Sequence, residues 1–244
     1  MAGAVRAPDP LTASILVTNG WITEGFKDAE QSGRWLGRAR DLVSGYVATL
    51  DPADDPVGVE RTVATRTKVI ALSGRIDRLD RRGDELVVVD YKTGRRPLTQ
   101  DDARSSLALA AYAIAASTMM RTPCRTVELH HLPTGEIIEW RHTDESLARH
   151  LRRAEEVATE AADADERYKE TVGAPARKKG ESSRRAAPAS GERVTVGPAA
   201  VPGEIDELFP PNPGPICSWC DFRRHCAEGL AAGPERRPWD GLAE

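Results

Sequence analysis

Residues 74–94 read GRIDRLDRRGDELVVVDYKTG, two strand-like runs on either side of a turn. Ile76, Leu79, Leu86, Val87, Val88 and Val89 supply the apolar content, and Gly83 with Asp84 is a two-residue hairpin signal. Pairing outward from that turn sets Asp77 directly across from Asp90, with Cβ atoms roughly 5 Å apart. Strand alternation then brings Lys92 to the same face as Asp90. Like charges so placed repel, and a divalent cation between them offsets the repulsion, since hard ions such as Mg²⁺ take carboxylate oxygens. Asp90 and Lys92 follow the apolar run 86–89, so they stand where a buried strand emerges rather than along a polar face. Metal-assisted attack of water on a phosphodiester calls for these groups. Carboxylates hold the ion, the ion activates water and offsets phosphate charge, and a lysine steadies the nucleophile or the transition state. The competing reading is a solvated hairpin with scattered charges on one face.

With 244 residues and a formal net charge of -4, the chain has room for one good core and an appendage. The slight acid excess excludes an overall basic footprint, so nucleic-acid binding would have to come from a local patch. No apolar run is long enough to span a membrane, and no secretory signal follows Met1. Of the 4 cysteines, all but Cys124 crowd near the C-terminus, which suits an intracellular metal site better than a disulfide framework. A cytoplasmic protein with no membrane partner is expected.

Around the hairpin the pattern is mixed. Residues 1–57 read as helices that cover one face of a sheet, with Ile15, Leu16, Trp21, Ile22 and Phe26 and then Trp35, Leu36, Leu42, Val43, Tyr46 and Val47 as apolar positions. Residues 57–72 alternate as one or two strands leading into Gly74. A single helix is expected over 97–120, capped by Thr99, with Leu107, Ala111, Ile114 and Ala115 packed on the sheet. Residues 125–131 and 136–142 form a second hairpin about Pro133, Thr134 and Gly135, in which His130 and His131 point to opposite faces and cannot easily share one ion. A long amphipathic helix follows Thr143, with Arg149, Arg152 and Arg153 on its solvated side. Residues 171–208 read as a flexible linker, residues 209–230 as a cysteine-rich motif and residues 231–244 as a tail.

The order G-R-I-D-R-L-D, turn, V-V-D-Y-K-T-G, followed by a helix and late cysteines, resembles the RecB-like branch of the PD-(D/E)XK nuclease superfamily. That resemblance implies an α/β fold with a restriction-endonuclease-like core over 58–170, a mixed β-sheet flanked by helices, and a C-terminal cysteine-rich appendage. It implies Asp77, Asp90 and Lys92 as catalytic residues, with Mg²⁺ or Mn²⁺ on Asp77, Asp90 and the Tyr91 carbonyl. Glu60 is a further candidate metal ligand, and Tyr112 and Arg75 are candidate substrate contacts. Members of this family usually carry an N-terminal cysteine, a Gly-x-x-x-His helix and a glutamine one turn before the tyrosine. Here there is no cysteine before Cys124, no histidine before His130, and Ala108 holds the glutamine position. A missing N-terminal segment is the expectation.

Cys217, Cys220 and Cys226 stand at C-x₂-C-x₅-C, a soft-metal pattern open to zinc or an iron–sulfur cluster. The spacing is similar to the cysteine triad of the iron–sulfur members of that branch, which implies a 4Fe-4S cluster whose fourth ligand lies outside this sequence. Zn²⁺ is the alternative, with His225 as a neighbour, and Cys124 is expected to be a buried structural thiol. The functional expectation is a metal-dependent DNA nuclease of exonuclease type, acting on single strands or ends in repair or recombination, with a helicase as a partner. The alternative is a catalytically inactive DNA-binding or helicase-associated module.

Overall fold

The computed structural model describes residues 9–51, 56–172 and 209–242. The hairpin forms at the expected turn. Gly83 takes φ 59°, in the left-handed region that glycine tolerates best, and lets Arg82 pair with Glu85. Register then runs outward between β2 (Ala71–Arg82) and β3 (Glu85–Lys92) as far as Arg78 opposite Val89. Asp77 and Asp90 are the next residues along each strand.

β2 starts earlier than the hairpin alone suggests, and β1 (Gly58–Arg66) pairs antiparallel along its other edge. Thr67 closes the β1–β2 turn, its Oγ1 accepting from the Val69 and Ile70 amides at 3.1 Å. Beyond β3 lie β4 (Cys124–His131), parallel to it, and β5 (Glu136–Arg141), antiparallel to β4. The result is a five-stranded mixed sheet in the order β1-β2-β3-β4-β5. Gly135, at φ 72°, makes the β4–β5 turn.

The parallel step from β3 to β4 needs a crossover. It is built from two helices, α3 (Gln100–Ser105) and α4 (Leu107–Met120), rather than the single helix expected. Ser106 interrupts them at φ −67°, ψ 108°, and its hydroxyl accepts from the Leu109 amide to cap α4. Serine serves the backbone better as a cap than inside a helix, which explains the break. Thr99 caps α3 as expected and forms a reciprocal capping box with Asp102.

One cluster of buried side chains joins helix to sheet: Ile76, Leu79, Leu86, Val88, Val127 and Leu129 from the strands, with Ala103, Leu109, Ala113 and Ala116 from α3 and α4. The buried face of α4 therefore runs through Leu109, Ala113 and Ala116 together with Ala115, as expected, whereas Leu107, Ala111 and Ile114 are only half-buried. Among the described residues, α1 (Pro10–Asn19) and α2 (Ala29–Thr49) contribute nothing to this cluster. They pack on each other instead: Arg40 Nε donates to Ser14 Oγ at 2.8 Å, and Ser44 Oγ donates to the Pro10 carbonyl at 3.1 Å. Trp21 stacks on Phe26, while Leu11, Ile15, Leu16 and Ile22 stay exposed. Tyr46 of α2 reaches the sheet, sharing a hydrogen bond of 2.9 Å with His130.

The helix α5 (Asp144–Val172) follows β5. The chain divides into two compact units, the first running to Glu156 and taking in the residues from Pro238 onward, the second spanning Val157–Arg237. Within the second, two 3₁₀ turns (Pro215–Trp219 and Arg223–His225) and the short helix Ala227–Ala231 carry the late cysteines. Residues 173–208, most of the expected linker, lie outside the described residues. No described helix is long and apolar enough to cross a membrane.

Candidate active site

The end of the β2–β3 ladder is held by a side chain. The Tyr91 amide donates to Asp77 Oδ2 at 2.9 Å, so the Asp77 carboxylate sits beside the residue that separates Asp90 from Lys92. Asp90 Oδ2 is buried and takes no hydrogen bond. The Lys92 ammonium stands 2.6 Å from it, with the lysine side chain 45% exposed and that of Asp90 19%. The structure thus brings Asp77, Asp90 and Lys92 to one strand end. A carboxylate oxygen shielded from water and without an aligned donor suits a hard cation. Among the described residues, however, no three His, Cys, Asp or Glu side chains gather into a metal-holding group. At the strand end itself the donors are Asp77, Asp90 and the main chain.

A cleft of about 380 Å³ opens over this point, lined by Asp90, Lys92, Arg96, Asp102, Ala108 and Tyr112 among others. Its walls are positioned by the crossover. Leu132 N–H donates to the Lys92 carbonyl at 2.9 Å, and the His131 ring bonds the Gly94 carbonyl at 2.7 Å, which fixes the backbone just past the lysine. Arg96 then pairs with Asp102 at 2.6 Å. That guanidinium, followed by the hydrogen bonds from Thr99, holds the Asp102 carboxyl down at about 2. Tyr112 lies over Gly74: a Cβ built on the glycine would fall 2.3 Å from a ring carbon of the tyrosine. Gly74 is needed for space and not for a special backbone angle, because its φ is not positive. Ala108 presents only a methyl to the cleft.

Glu60 and Arg75 are not gathered into this group. They pair with each other at 2.9 Å, both well exposed, and Glu60 takes φ 49°.

Sequence reasoning missed a second set of polar residues. Arg78 grips Asp80 through two hydrogen bonds of 2.6 and 2.7 Å, with both residues 5% exposed. Burial works against the Arg78 charge, but the Asp80 hydrogen bond and charge raise its pKa overall. Arg82 pairs with Glu128, which bonds His130 at 2.8 Å, and His130 meets Tyr46. Burial pushes the Glu128 carboxyl up, yet the His130 and Arg82 hydrogen bonds prevail and hold it at about 2. Burial, followed by a hydrogen bond with Tyr91, raises the Tyr46 phenol. The only sequence signal for this network is that Arg78, Asp80 and Arg82 share strand parity.

In the second unit, the Gly214 amide donates to Cys217 Sγ at 3.4 Å and the Gly229 amide to Cys226 Sγ at 3.2 Å. Amides directed at sulfur suit thiolates that hold a soft metal. Cys217, Cys220 and Cys226 carry no disulfide, and the three thiols do not stand as a closed ligand set. Cys124 is buried, as expected, and burial raises its thiol to about 12.

In a comparison with curated proteins, none matches the chain. The model of the PD-(D/E)XK nuclease superfamily matches residues 4–227, spanning the sheet, the crossover and the three late cysteines. The five-stranded mixed sheet flanked by helices agrees with the restriction-endonuclease-like fold of that group. With the match extending over most of its length, the chain belongs to the PD-(D/E)XK nuclease superfamily.

Proposed function

We propose that the chain is a metal-dependent DNA nuclease of the RecB-like, exonuclease type, acting on single strands or ends in cytoplasmic repair or recombination, with a helicase as the kind of partner it serves. Asp77, Asp90 and the Tyr91 carbonyl would hold Mg²⁺ or Mn²⁺; when bound, the ion supplies water activation and charge neutralisation at the phosphate. Lys92, half-exposed beside Asp90, donates to the attacking water or to a phosphate oxygen. Asp77 keeps the β3 backbone in place by accepting from the Tyr91 amide. Tyr112 walls the cleft and limits how a strand enters. The observation that carries this reading is the shielded Asp90 carboxylate paired with the Lys92 ammonium in the wall of a cleft.

Ala108 favours a second reading, an inactive DNA-binding module, because it leaves the cleft without a polar group where the resemblance expects a glutamine. Labelled single-stranded DNA incubated with Mn²⁺ separates the two. The nuclease reading expects shortening by the wild type, abolished by EDTA and by Asp90→Ala. Equal inertness of the two proteins refutes it.

The cysteine motif would carry a 4Fe-4S cluster on Cys217, Cys220 and Cys226, a reading supported by the amides that point at two of the sulfurs. Anaerobically purified protein should then be brown. A colourless protein that contains zinc favours the alternative occupant.

A further inference from the structure

The arginines around the candidate active site fall into two kinds. Arg34 pairs with Glu30, Arg75 with Glu60 and Arg96 with Asp102. Arg38 and Arg95 have no such partner: among the described residues, neither forms an ion pair or a hydrogen bond. Both nevertheless gather at one place. The Arg38 guanidinium lies 5.0 Å from the centroid of the Trp35 ring and that of Arg95 lies 6.0 Å from it. Trp35 and Arg38 come from α2, one helical turn apart. Arg95 comes from the loop after β3, so the contact brings two separate elements together.

A single arginine on an indole is ordinary packing. Two on the same ring are different, because two cations lie against one side chain and neither has a carboxylate within ion-pair distance among the described residues. In a chain of net charge -4, acids are plentiful enough to have supplied one. The charge left over calls for an anion from outside. Position says which. Arg95 is three residues past Lys92, within about 10 Å along the chain, and the loop between them is anchored by His131 on the Gly94 carbonyl. An anion held there lies next to whatever occupies the cleft. A flexible phosphodiester strand supplies anions at short, regular intervals, and guanidinium is the side chain best matched to phosphate.

We infer that Trp35, Arg38 and Arg95 form a phosphate-binding clamp for the nucleic-acid strand, next to the Asp90–Lys92 cleft. Trp35 holds the two guanidiniums in place, and each arginine takes a backbone phosphate outside the reacting one. The clamp rests on the nuclease reading for the identity of the strand, but its test does not depend on cleavage.

The test is fluorescence anisotropy of a labelled 20-nucleotide oligo-dT in EDTA, titrated with full-length protein across a range of salt concentrations. Arg38→Ala/Arg95→Ala should bind roughly tenfold more weakly and flatten the plot of log affinity against log salt by about 1.4, that is, two phosphate contacts on a single strand. Arg38→Lys/Arg95→Lys retains the charges but not the stacking, and should retain the wild-type salt slope. Arg149→Ala/Arg152→Ala on α5 removes the same charge elsewhere and should leave the slope unchanged. The inference is overturned by any of four results: no binding of the oligonucleotide by the wild type, a wild-type slope in the alanine pair, an equal loss in the α5 pair, or a lysine pair that behaves like the alanine pair. Mn²⁺-dependent cleavage assayed separately keeps the two readings apart. Intact cleavage with an unchanged slope overturns the clamp alone, whereas clamp-dependent binding without cleavage overturns the nuclease reading alone.

Discussion

Replacing Gly74 with alanine adds one methyl group where Tyr112 already stands. The new carbon would lie 2.3 Å from the nearest ring carbon and 3.2 and 3.3 Å from the next two. Carbon–carbon contacts settle at about 3.5–4.0 Å, so the ring must retreat by roughly 1.2–1.7 Å. Overpacking of this kind costs about 1–3 kcal/mol. For a chain of this size that lowers Tm by about 2–12 °C, read by circular dichroism and by urea unfolding. The backbone at Gly74 is acceptable to any L-residue, which gives the prediction a sharp sign. Once the ring is removed by Tyr112→Ala, the same Gly74→Ala change should become neutral, or stabilise by about 0.4–1 kcal/mol through loss of unfolded-state freedom. The double-mutant cycle should therefore report a coupling of at least about 1 kcal/mol. If Gly74→Ala costs the same with and without the tyrosine ring, the close approach does not exist and the wall of the cleft has been misread.

The two aspartates of Arg-Ile-Asp-Arg-Leu-Asp should respond oppositely to amidation. Asp77→Asn, whose amide oxygen can still accept from Tyr91, should lose cleavage while keeping stability within about 1 kcal/mol; Asp80→Asn should destabilise by about 3–5 kcal/mol by stranding the buried Arg78 charge. His142 is 2% exposed, and burial, followed by the charge of His150, lowers its pKa to about 4. Its folded pKa lies below the unfolded value, so the unfolded chain takes up the proton first. Its contribution, on the order of 2–3 kcal/mol, is complete above about pH 6.5 and fades as pH falls toward 4; urea midpoints should drop over that window, and less so in His142→Phe. Cys124, its thiol raised by burial, should react with a thiol reagent only as fast as the protein unfolds, behind Cys220, which is exposed.

Legibility followed the strength of local rules. Gly83 demands a turn, and a turn of fixed length dictates register, so the pairing of β2 with β3 followed from residue numbers alone. The same held for Thr99 as a cap and Gly135 as a turn. The crossover was harder to read because α4, Leu-Ala-Leu-Ala-Ala-Tyr-Ala-Ile-Ala-Ala, has almost no polar contrast around its circumference. With apolar residues on every side, periodicity cannot say which stripe is buried, and the sheet made that choice. α1 and α2 failed for another reason. Their apolar residues follow a helical pattern, yet Leu11, Ile15 and Leu16 remain exposed in the structure, because helix periodicity describes a face and not what covers it.

The buried ion network shows how one strand serves two purposes. Asp77 and Asp80 differ by an odd number of positions, so strand alternation sends them to opposite faces of the sheet. On the face of Asp80, successive strands place Arg78 beside Val89 and Glu128, and Asp80 beside Val87 and Thr126. Every acid there is matched by a base, and the charges are spent on holding strands and α2 together through Glu128, His130 and Tyr46. At the end of the β2–β3 ladder, Asp77 is taken by a single backbone amide and Asp90 by one half-exposed lysine, which leaves carboxylate capacity free. Buried acids that are fully satisfied cannot take a cation without breaking the fold, whereas acids left partly satisfied at a strand end can. Two acidic residues of similar sequence context thus acquire different surroundings from parity alone. Shifting β2 by one position relative to β3 would turn each acid to the other face, so the Gly83 turn that fixes the register also fixes which of them stands near Asp90.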